Sequence, residues 1–381
     1  MNPSSKLPHI GTTIFTVMTN RARELGAINL AQGFPDFDAP ELLKELLARF
    51  TMEGNNQYAP MIGERALREQ IALKMAANHG CTPDPEAEIT ITLGATEAIF
   101  SAVSALVHPG DDVILFDPSY DSYAPAVILA GGRPVHIATM PPSFRIDWDE
   151  VRRAITPRLR LIMINTPHNP VGSVLRRDDL DRLAELLQPT DAMVMSDEVY
   201  EHMVYDGARH ESVAAHPQLR ERSVVSFSFG KTMHATGWRV GYAIAPPALT
   251  RELRRVHQFN TFSIATPLQL AIAEFLRLEP QHSNDLANFY QRKRDLFLDQ
   301  LRGSRFTWLP SEGTYFQLLN FSGIGAMSDV EFADTLLTEV GVASIPVSPF
   351  YRVPPQLPVV RFCFAKKDAT LEEAAARLRR M

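Results

Sequence analysis

Residues 226–242 place one lysine among small and apolar residues, between two strand-like runs. An amine that attacks an aldehyde must spend time neutral, and burial beside another cation lowers a lysine pKa in that direction. Arg239 is the candidate for that cation beside Lys231. Together with Ser228, it also offers a guanidinium fork and a hydroxyl that can hold a phosphate. The segment therefore predicts a nucleophilic lysine next to an anion site, and a surface lysine in an ordinary loop is the alternative.

Two other segments carry polar side chains directly after apolar strands. Residues 161–164 lead into Asn-Thr-Pro-His-Asn-Pro, which brings Asn169 to the carboxyl end of the strand. Residues 193–195 lead into Ser-Asp-Glu-Val-Tyr, where Asp197 and Tyr200 share one face if a helical turn begins there. Taken singly, Asn169 is more often a turn former, Asp197 a helix N-cap and Tyr200 a core residue.

The elements that must position these side chains alternate between strand-like and helix-like segments. Such alternation predicts an α/β fold with a mostly parallel sheet covered by helices on both faces. Ligands of such sheets bind beyond the carboxyl ends of the strands. A helix expected over residues 96–107 follows a strand at 89–93, so Ala95 and Thr96 would offer backbone N–H groups to a phosphate. A purely structural turn would have the same residues.

Composition narrows the class of protein. The chain has 381 residues, of which 45% are hydrophobic and 22% charged, as in ordinary globular proteins with a large core. A net charge of −6 without a basic cluster argues against a nucleic-acid partner. Cys81 and Cys363 lie far apart and in no metal-ligand spacing, so we expect no metal site, and a reduced cytoplasmic setting fits. We find no signal-peptide pattern and no membrane-spanning run, so we expect no membrane partner.

Eight motifs occur in the order that they have in pyridoxal-phosphate enzymes of the aspartate aminotransferase superfamily, which the chain resembles over nearly its whole length. They are Gln-Gly-Phe-Pro-Asp-Phe at 32–37, Asn-Gln-Tyr at 56–58, Gly-Ala-Thr-Glu-Ala at 94–98, Asp-Pro-Ser-Tyr at 117–120, His-Asn-Pro at 168–170, Ser-Asp-Glu-Val-Tyr at 196–200, Ser-Phe-Gly-Lys at 228–231 and Arg-Phe-Cys-Phe at 361–364. Within the superfamily, the chain is most similar to the methionine and kynurenine aminotransferase branch.

The resemblance implies fold type I, with a mostly parallel seven-stranded sheet in a large domain and a smaller α/β domain built from both chain ends. We expect the large, cofactor-binding domain to span residues 46–274. The smaller domain would then comprise residues 1–45 and 275–381.

The resemblance also implies a cofactor, pyridoxal 5'-phosphate, and a role for each candidate residue. Lys231 would hold the cofactor covalently and act as base, and Asp197 would pair with the ring nitrogen. Asn169 and Tyr200 would donate hydrogen bonds to the ring oxygen, while Tyr120 would stack on the ring. The phosphate would be held by Ala95, Thr96, Ser228, Arg239 and, from a second subunit, Tyr58.

Arg361 is the candidate that would bind the substrate carboxylate, with Asn169 and the backbone of Gly33. Its neighbours in the sequence are apolar, and an arginine on such a strand is costly unless a carboxylate pairs with it. An internal salt bridge is the alternative.

The resemblance further places Phe15, Tyr58, Tyr120 and Phe262 around the substrate side chain, with Phe262 from the partner subunit of a homodimer. Aromatic walls suit methionine and other apolar or aromatic amino acids. The implied reaction is ping-pong transfer of the amino group to a 2-oxo acid. A cysteine-conjugate or cystathionine β-lyase that uses the same site remains an alternative, as does a non-enzymatic regulator that binds the cofactor.

Overall fold

The computed structural model describes residues 4–381 of the chain. Its strands are β1 (Ile28–Asn29), β2 (Ile89–Thr92), β3 (Asp112–Asp117), β4 (Arg133–Ala138), β5 (Leu159–Asn165), β6 (Met193–Asp197), β7 (Ser223–Ser228), β8 (Gly241–Ile244), β9 (Phe316–Asn320), β10 (Val342–Ala343), β11 (Ile345–Pro346) and β12 (Val359–Cys363).

Its α-helices are α1 (Ile14–Glu24), α2 (Glu41–Met52), α3 (Arg65–His79), α4 (Gly94–Leu106), α5 (Tyr123–Leu129), α6 (Trp148–Ala154), α7 (Arg177–Leu187), α8 (Phe229–Thr232), α9 (Pro247–Asn260), α10 (Thr266–Leu278), α11 (His282–Gln300), α12 (Asp329–Thr335) and α13 (Asp368–Leu378). A π-helical turn at Leu336–Val340 continues α12. Short 3₁₀ helices occur at Val213–Ala215, Arg220–Arg222, Thr236–Trp238 and Ser348–Phe350. None of these helices has both the length and the apolar character needed to cross a membrane.

The largest sheet has seven strands in the order β2-β8-β7-β6-β5-β3-β4. Only β8 runs against its two neighbours, β2 and β7, so the predicted mostly parallel, seven-stranded α/β fold is confirmed. Strands β3, β6 and β7 are buried along their whole length, as expected for a sheet that is covered on both faces.

The register of this sheet brings the ends of its central strands together. Asn165 at the end of β5 lies beside Asp197 at the end of β6, and Asp197 lies beside Ser226 of β7. Gly241 of β8, which lies beside Ser228 of β7, lets the start of α4 approach the sheet, because a Cβ atom there would lie 2.9 Å from the backbone nitrogen of Ala95. The strand ends and the start of α4 therefore meet at one edge.

A second apolar core lies around an antiparallel sheet of order β11-β12-β9 and the parallel pair β1-β10. It joins residues near the start of the chain, such as Met18 and Leu30, to residues of β9, β12 and α13. The predicted domain limits at residues 46 and 274 fall within α2 and α10, which pack against each other. The division into 46–274 and the two chain ends stays a prediction.

Candidate active site

A cavity of about 440 Å³ opens at the carboxyl ends of β5, β6 and β7. Twelve of the fourteen residues that the sequence singles out line it, namely Phe15, Gly33, Ala95, Thr96, Tyr120, Asn169, Asp197, Tyr200, Ser228, Lys231, Arg239 and Arg361. The segments that carry them lie far apart in the sequence and meet here because parallel strands end at a common edge.

Lys231 lies on the short helix α8, which begins directly after β7. Its Nζ donates a hydrogen bond to the hydroxyl of Tyr315 at 3.0 Å. Burial, and after it the positive charge of Arg239, lowers the pKa of Lys231 from 10.5 to about 8. Near neutral pH a minority of the molecules, far more than for an ordinary lysine, therefore carry the neutral amine that a nucleophile or proton acceptor requires.

Asp197 is the last residue of β6 and is followed by a turn rather than by the helical turn considered from the sequence. Its Oδ2 accepts a hydrogen bond from the hydroxyl of Tyr123 at 2.6 Å, and the backbone N–H of Val199 points to Oδ1 at 3.4 Å. Burial raises the pKa of Asp197 to about 6, while the Tyr123 hydroxyl acts in the opposite direction. The carboxylate is thus ionised at neutral pH, and no cationic side chain of residues 4–381 is in direct contact with it.

Two other buried carboxylates follow Asp197 in the sequence, and both have partners. Glu201 forms an ion pair with Lys74 and a hydrogen bond with His79. Burial alone would raise the pKa of Glu201, but the charge of Lys74 brings it well below its usual range. Glu198 accepts hydrogen bonds from Ser196 and His210. Asp197 is the carboxylate of this segment that lines the cavity.

Arg361, in the middle of β12, is completely buried. Its Nη1 donates to Oδ1 of Asn169 and its Nη2 to the carbonyl oxygen of Ala31, both at 2.7 Å. Its Nε is buried with no hydrogen-bond partner among residues 4–381, and none of their carboxylates lies within ion-pair distance. The guanidinium carbon Cζ of Arg361 lies over the Phe316 ring, 3.8 Å from its centre. The internal salt bridge considered as an alternative is therefore absent from the described part of the chain.

The start of α4 and Arg239 form a cradle for an anion. Nη2 of Arg239 points to the hydroxyl of Thr96 at 3.4 Å, and Arg239 itself has a left-handed backbone conformation. Gly94 has a φ of +70°, and a Cβ atom there would lie 2.9 Å from Nη2 of Arg239. The guanidinium, the Ser228 hydroxyl and the first N–H groups of α4 are donors that suit a phosphate.

Tyr58 and Phe262 do not line the cavity. Their rings contact each other edge to face with centroids 5.4 Å apart. Both are accessible in the single chain, with exposed fractions of 84% for Tyr58 and 44% for Phe262. Their predicted roles place them in the cavity of a second subunit.

Several residues of the site were not predicted from the sequence. Tyr123 and Tyr315 contact Asp197 and Lys231 directly. The cavity is also lined by Thr13, Thr16, Gln32, Ile99, Asp121, Asn165, Val199 and Phe316. Tyr123 lies three residues after Tyr120 and Asn165 ends its strand, so their positions carried a usable signal, whereas nothing near Tyr315 in the sequence indicates the contact with Lys231.

Comparison with known proteins identifies the family of the chain. The model of the family described as aminotransferase class I and II matches residues 26–378. The chain belongs to this family. It is 52% identical to the methionine aminotransferase of Escherichia coli, over 100% of this chain and 98% of that protein. It is 34% identical to kynurenine–oxoglutarate transaminase 1 of Mus musculus, over 94% of this chain and 93% of that protein.

The structural comparison gives the same result for the fold. The crystal structure of an Escherichia coli protein, reported with a methionine aminotransferase function, superposes with a TM-score of 0.98 at 51% identity and covers 100% of both chains. The chain is therefore an aminotransferase. Both the fold and the family that the sequence motifs indicated are confirmed.

The hydrogen bond from Tyr123 to Asp197 leads to a testable prediction. Replacing Tyr123 with Phe should destabilise the ligand-free protein by about 1.5–3 kcal/mol at pH 8, where the bond goes to a charged acceptor, and by about 0.5–1.5 kcal/mol at pH 5. The sign follows from the raised pKa: ionisation of Asp197 costs stability as the pH rises from 3.8 through about 6, and the variant lacks the bond that offsets this cost. Denaturant unfolding at both pH values measures the difference.

Tyr351→Phe provides the matched control. Tyr351 is also buried, and its hydroxyl donates to the carbonyl oxygen of Thr139 at 2.7 Å, an acceptor that does not titrate. The loss of folding stability in Tyr351→Phe should be similar at pH 5 and pH 8. Equal losses at both pH values for Tyr123→Phe would contradict the assignment of Tyr123 as the partner of an ionised Asp197.

Proposed function

We propose that the protein is a pyridoxal-phosphate-dependent aminotransferase that moves the amino group of methionine, or of a related apolar or aromatic amino acid, to a 2-oxo acid. The observation that carries this proposal is the buried guanidinium of Arg361, which has no carboxylate partner among the described residues and lines the same cavity as Lys231. A bound anion would stabilise this unpaired buried cation, and the carboxylate of an amino acid is an anion next to the carbon that must react.

The donor set of the cavity fits pyridoxal phosphate. The start of α4, Ser228 and Arg239 offer the hydroxyl, N–H groups and guanidinium that a phosphate needs. Asp197 offers a carboxylate for a ring nitrogen, and Lys231 offers an amine for an aldehyde. When bound, this cofactor supplies an aldehyde that takes up the amino group and a ring that withdraws electrons from the bond to be broken.

Each polar side chain then has one task. Lys231, with its lowered pKa, would accept the proton from the α-carbon and pass it on to the bound cofactor, which requires that the neutral form of the amine is populated near physiological pH. Asp197 is ionised above about pH 6 and favours a protonated nitrogen beside it. Asn169 uses Oδ1 on Arg361, so its Nδ2 remains to donate, together with the Tyr200 hydroxyl, to an oxygen on the ring.

The walls of the cavity support an apolar amino acid as donor. Phe15, Ile99 and Tyr120 line it. Sulfur contacts with aromatic rings such as those of Phe15 and Tyr120 contribute roughly 0.3–1.5 kcal/mol each. The relative that is 52% identical is a methionine aminotransferase. We therefore place methionine first among the donors.

A borohydride experiment tests the proposal. The purified protein should be yellow, and reduction should fix the cofactor on the peptide that contains Lys231, because this amine is buried beside the anion cradle with a pKa of about 8. Lys231→Ala should still bind the cofactor but lose turnover by about 10³-fold or more, since nucleophile and base are both removed. Cofactor found on another lysine would refute the assignment. Release of ammonia without a 2-oxo acid acceptor would instead indicate β-elimination.

Arg361→Lys should raise the KM for methionine at least about tenfold, because an ammonium cannot reproduce the two parallel hydrogen bonds of a guanidinium. Arg294→Lys is the matched control, since Arg294 is also buried but pairs with Asp206 and Asp295 away from the cavity. The KM of Arg294→Lys for methionine should stay within about twofold of the parent value. Steady-state kinetics at saturating oxo acid measure both, and an unchanged KM for Arg361→Lys would remove Arg361 from the substrate site.

We propose that the active unit is a homodimer in which Tyr58 reaches the phosphate and Phe262 the substrate side chain of the neighbouring subunit. Supporting this, both rings are accessible in the single chain and lie together outside its own cavity. Symmetric dimers bury the same surface of both subunits, so two such sites would form at once.

Mixing two inactive chains tests the shared site. Lys231→Ala and Tyr58→Ala chains, unfolded together and refolded in equal amounts, should recover roughly a quarter of the parent activity, because half of the dimers are hybrids with one intact site. Each chain refolded alone is the control and should remain inactive. A fully active monomer in sedimentation at assay concentration would contradict the roles of Tyr58 and Phe262 and leave those of Lys231 and Arg361 untouched.

A further inference from the structure

Tyr315 is a completely buried tyrosine that connects the amine of Lys231 to the backbone of Gly33. Its hydroxyl accepts a hydrogen bond from Nζ of Lys231 at 3.0 Å and donates one to the carbonyl oxygen of Gly33 at 2.6 Å. A tyrosine hydroxyl has one hydrogen, and a carbonyl oxygen can only accept. That hydrogen is therefore used on Gly33, and Lys231 must supply the N–H of the other bond.

The direction of this bond determines which part of the amine is left for chemistry. A neutral amine has two N–H groups and one lone pair, and the bond to Tyr315 uses one N–H and leaves the lone pair free. Burial, and after it the charge of Tyr200, raises the pKa of Tyr315 well above 10, so the hydroxyl keeps its proton. The bond has the same direction over the whole pH range in which Lys231 titrates.

The surroundings hold both ends of this link in place. A Cβ atom on Gly33 would lie 2.7 Å from Cζ of Phe316, so glycine allows its carbonyl to approach Tyr315. The Tyr315 ring packs edge to face on Phe316, with centroids 4.9 Å apart, and on Tyr200, with centroids 5.1 Å apart. A phenylalanine at position 315 would keep these ring contacts and lose only the hydroxyl.

We propose that Tyr315 is a positioning residue that holds the free amine of Lys231 with its lone pair available to the α-carbon of the substrate. This inference rests on the proposed function, in which Lys231 moves that proton. Each half-reaction needs the same amine twice, once to accept the proton from the α-carbon and once to release it at a different atom. A fixed acceptor for one N–H limits the rotation of a long side chain between these two events.

Other groups also act on the charge of Lys231. Arg239 and Arg361 lower the pKa of Lys231, while Asp197 and Cys363 raise it. All four remain in place when the Tyr315 hydroxyl alone is removed, so Tyr315→Phe removes only the two hydrogen bonds of this hydroxyl, and one of them is the bond to Lys231.

The first measurement uses the full chain without cofactor. Lysine labelling with an amine-reactive acylating reagent from pH 6 to pH 10, read out on the Lys231 peptide by mass spectrometry, gives the midpoint of its titration. In Tyr315→Phe the midpoint should fall by about one pH unit, a tenfold change in the protonation equilibrium, because the ammonium loses an acceptor.

The second measurement uses the holoenzyme in single turnover with α-deuterated methionine. The transfer step should slow by about tenfold or more with an increased isotope effect, while the methionine Kd changes less than about threefold.

Tyr290→Phe is the matched control. Tyr290 is buried next to Tyr315, with ring centroids 5.7 Å apart, but its hydroxyl pairs with Nδ1 of His234 and not with Lys231. It should leave both the midpoint and the isotope effect unchanged. If Tyr315→Phe does not fold, 3-fluorotyrosine at position 315 keeps the ring and weakens the hydroxyl as an acceptor, and it should give a smaller shift in the same direction.

An unchanged midpoint and isotope effect in Tyr315→Phe, or equal changes in Tyr290→Phe, would overturn the proposal. If the parent protein removes the α-hydrogen from no amino acid, the proposed function fails instead. The labelling midpoint of the cofactor-free chain would still decide whether Tyr315 holds the amine.

Discussion

The site depends on keeping three ionisable groups away from water in one cavity without letting them neutralise each other. Asp197 and Arg361 are buried there and Lys231 is half-buried, and the effective cost of removing an ion from water is several kcal/mol. A salt bridge between them would offset that cost and make them inert. Their direct partners are instead neutral: hydroxyls for the lysine and the carboxylate, an amide and a carbonyl for the guanidinium. The charges are therefore stabilised and remain available.

The same segment of chain shows the opposite arrangement a few residues away. Glu201 is buried as deeply as Asp197, but it pairs with Lys74 and His79. As a result, the pKa of Glu201 falls while the pKa of Asp197 rises. Burial alone does not make a carboxylate reactive, since what distinguishes Asp197 is that its partner is a tyrosine hydroxyl and its neighbour is the cavity.

The sequence allowed prediction of those parts of the fold and site that depend on local order. Asp197 and Ser228 end apolar strands, and the rule that such ends share an edge is enough to bring them together. Tyr315 follows no such rule. Tyr315 lies 84 residues after Lys231 in the sequence, and it directly precedes β9, a strand of a different sheet. A single chain cannot test the predicted roles of Tyr58 and Phe262, because their predicted partners belong to a second copy of the chain.

In the proposed function, carboxylate recognition and proton transfer depend on one short backbone segment. The carbonyl of Ala31 accepts from Arg361, and the carbonyl of Gly33, two residues later, accepts from Tyr315, which in turn holds Lys231. The segment itself is fixed by the pairing of β1 with β10 and by the hydrogen bond from Cys363 to Leu30. Any movement of residues 31–33 would therefore alter the proposed binding of the substrate anion and the placement of the amine together. A change in this segment would affect KM and the rate of proton transfer at once, although none of its side chains needs to react.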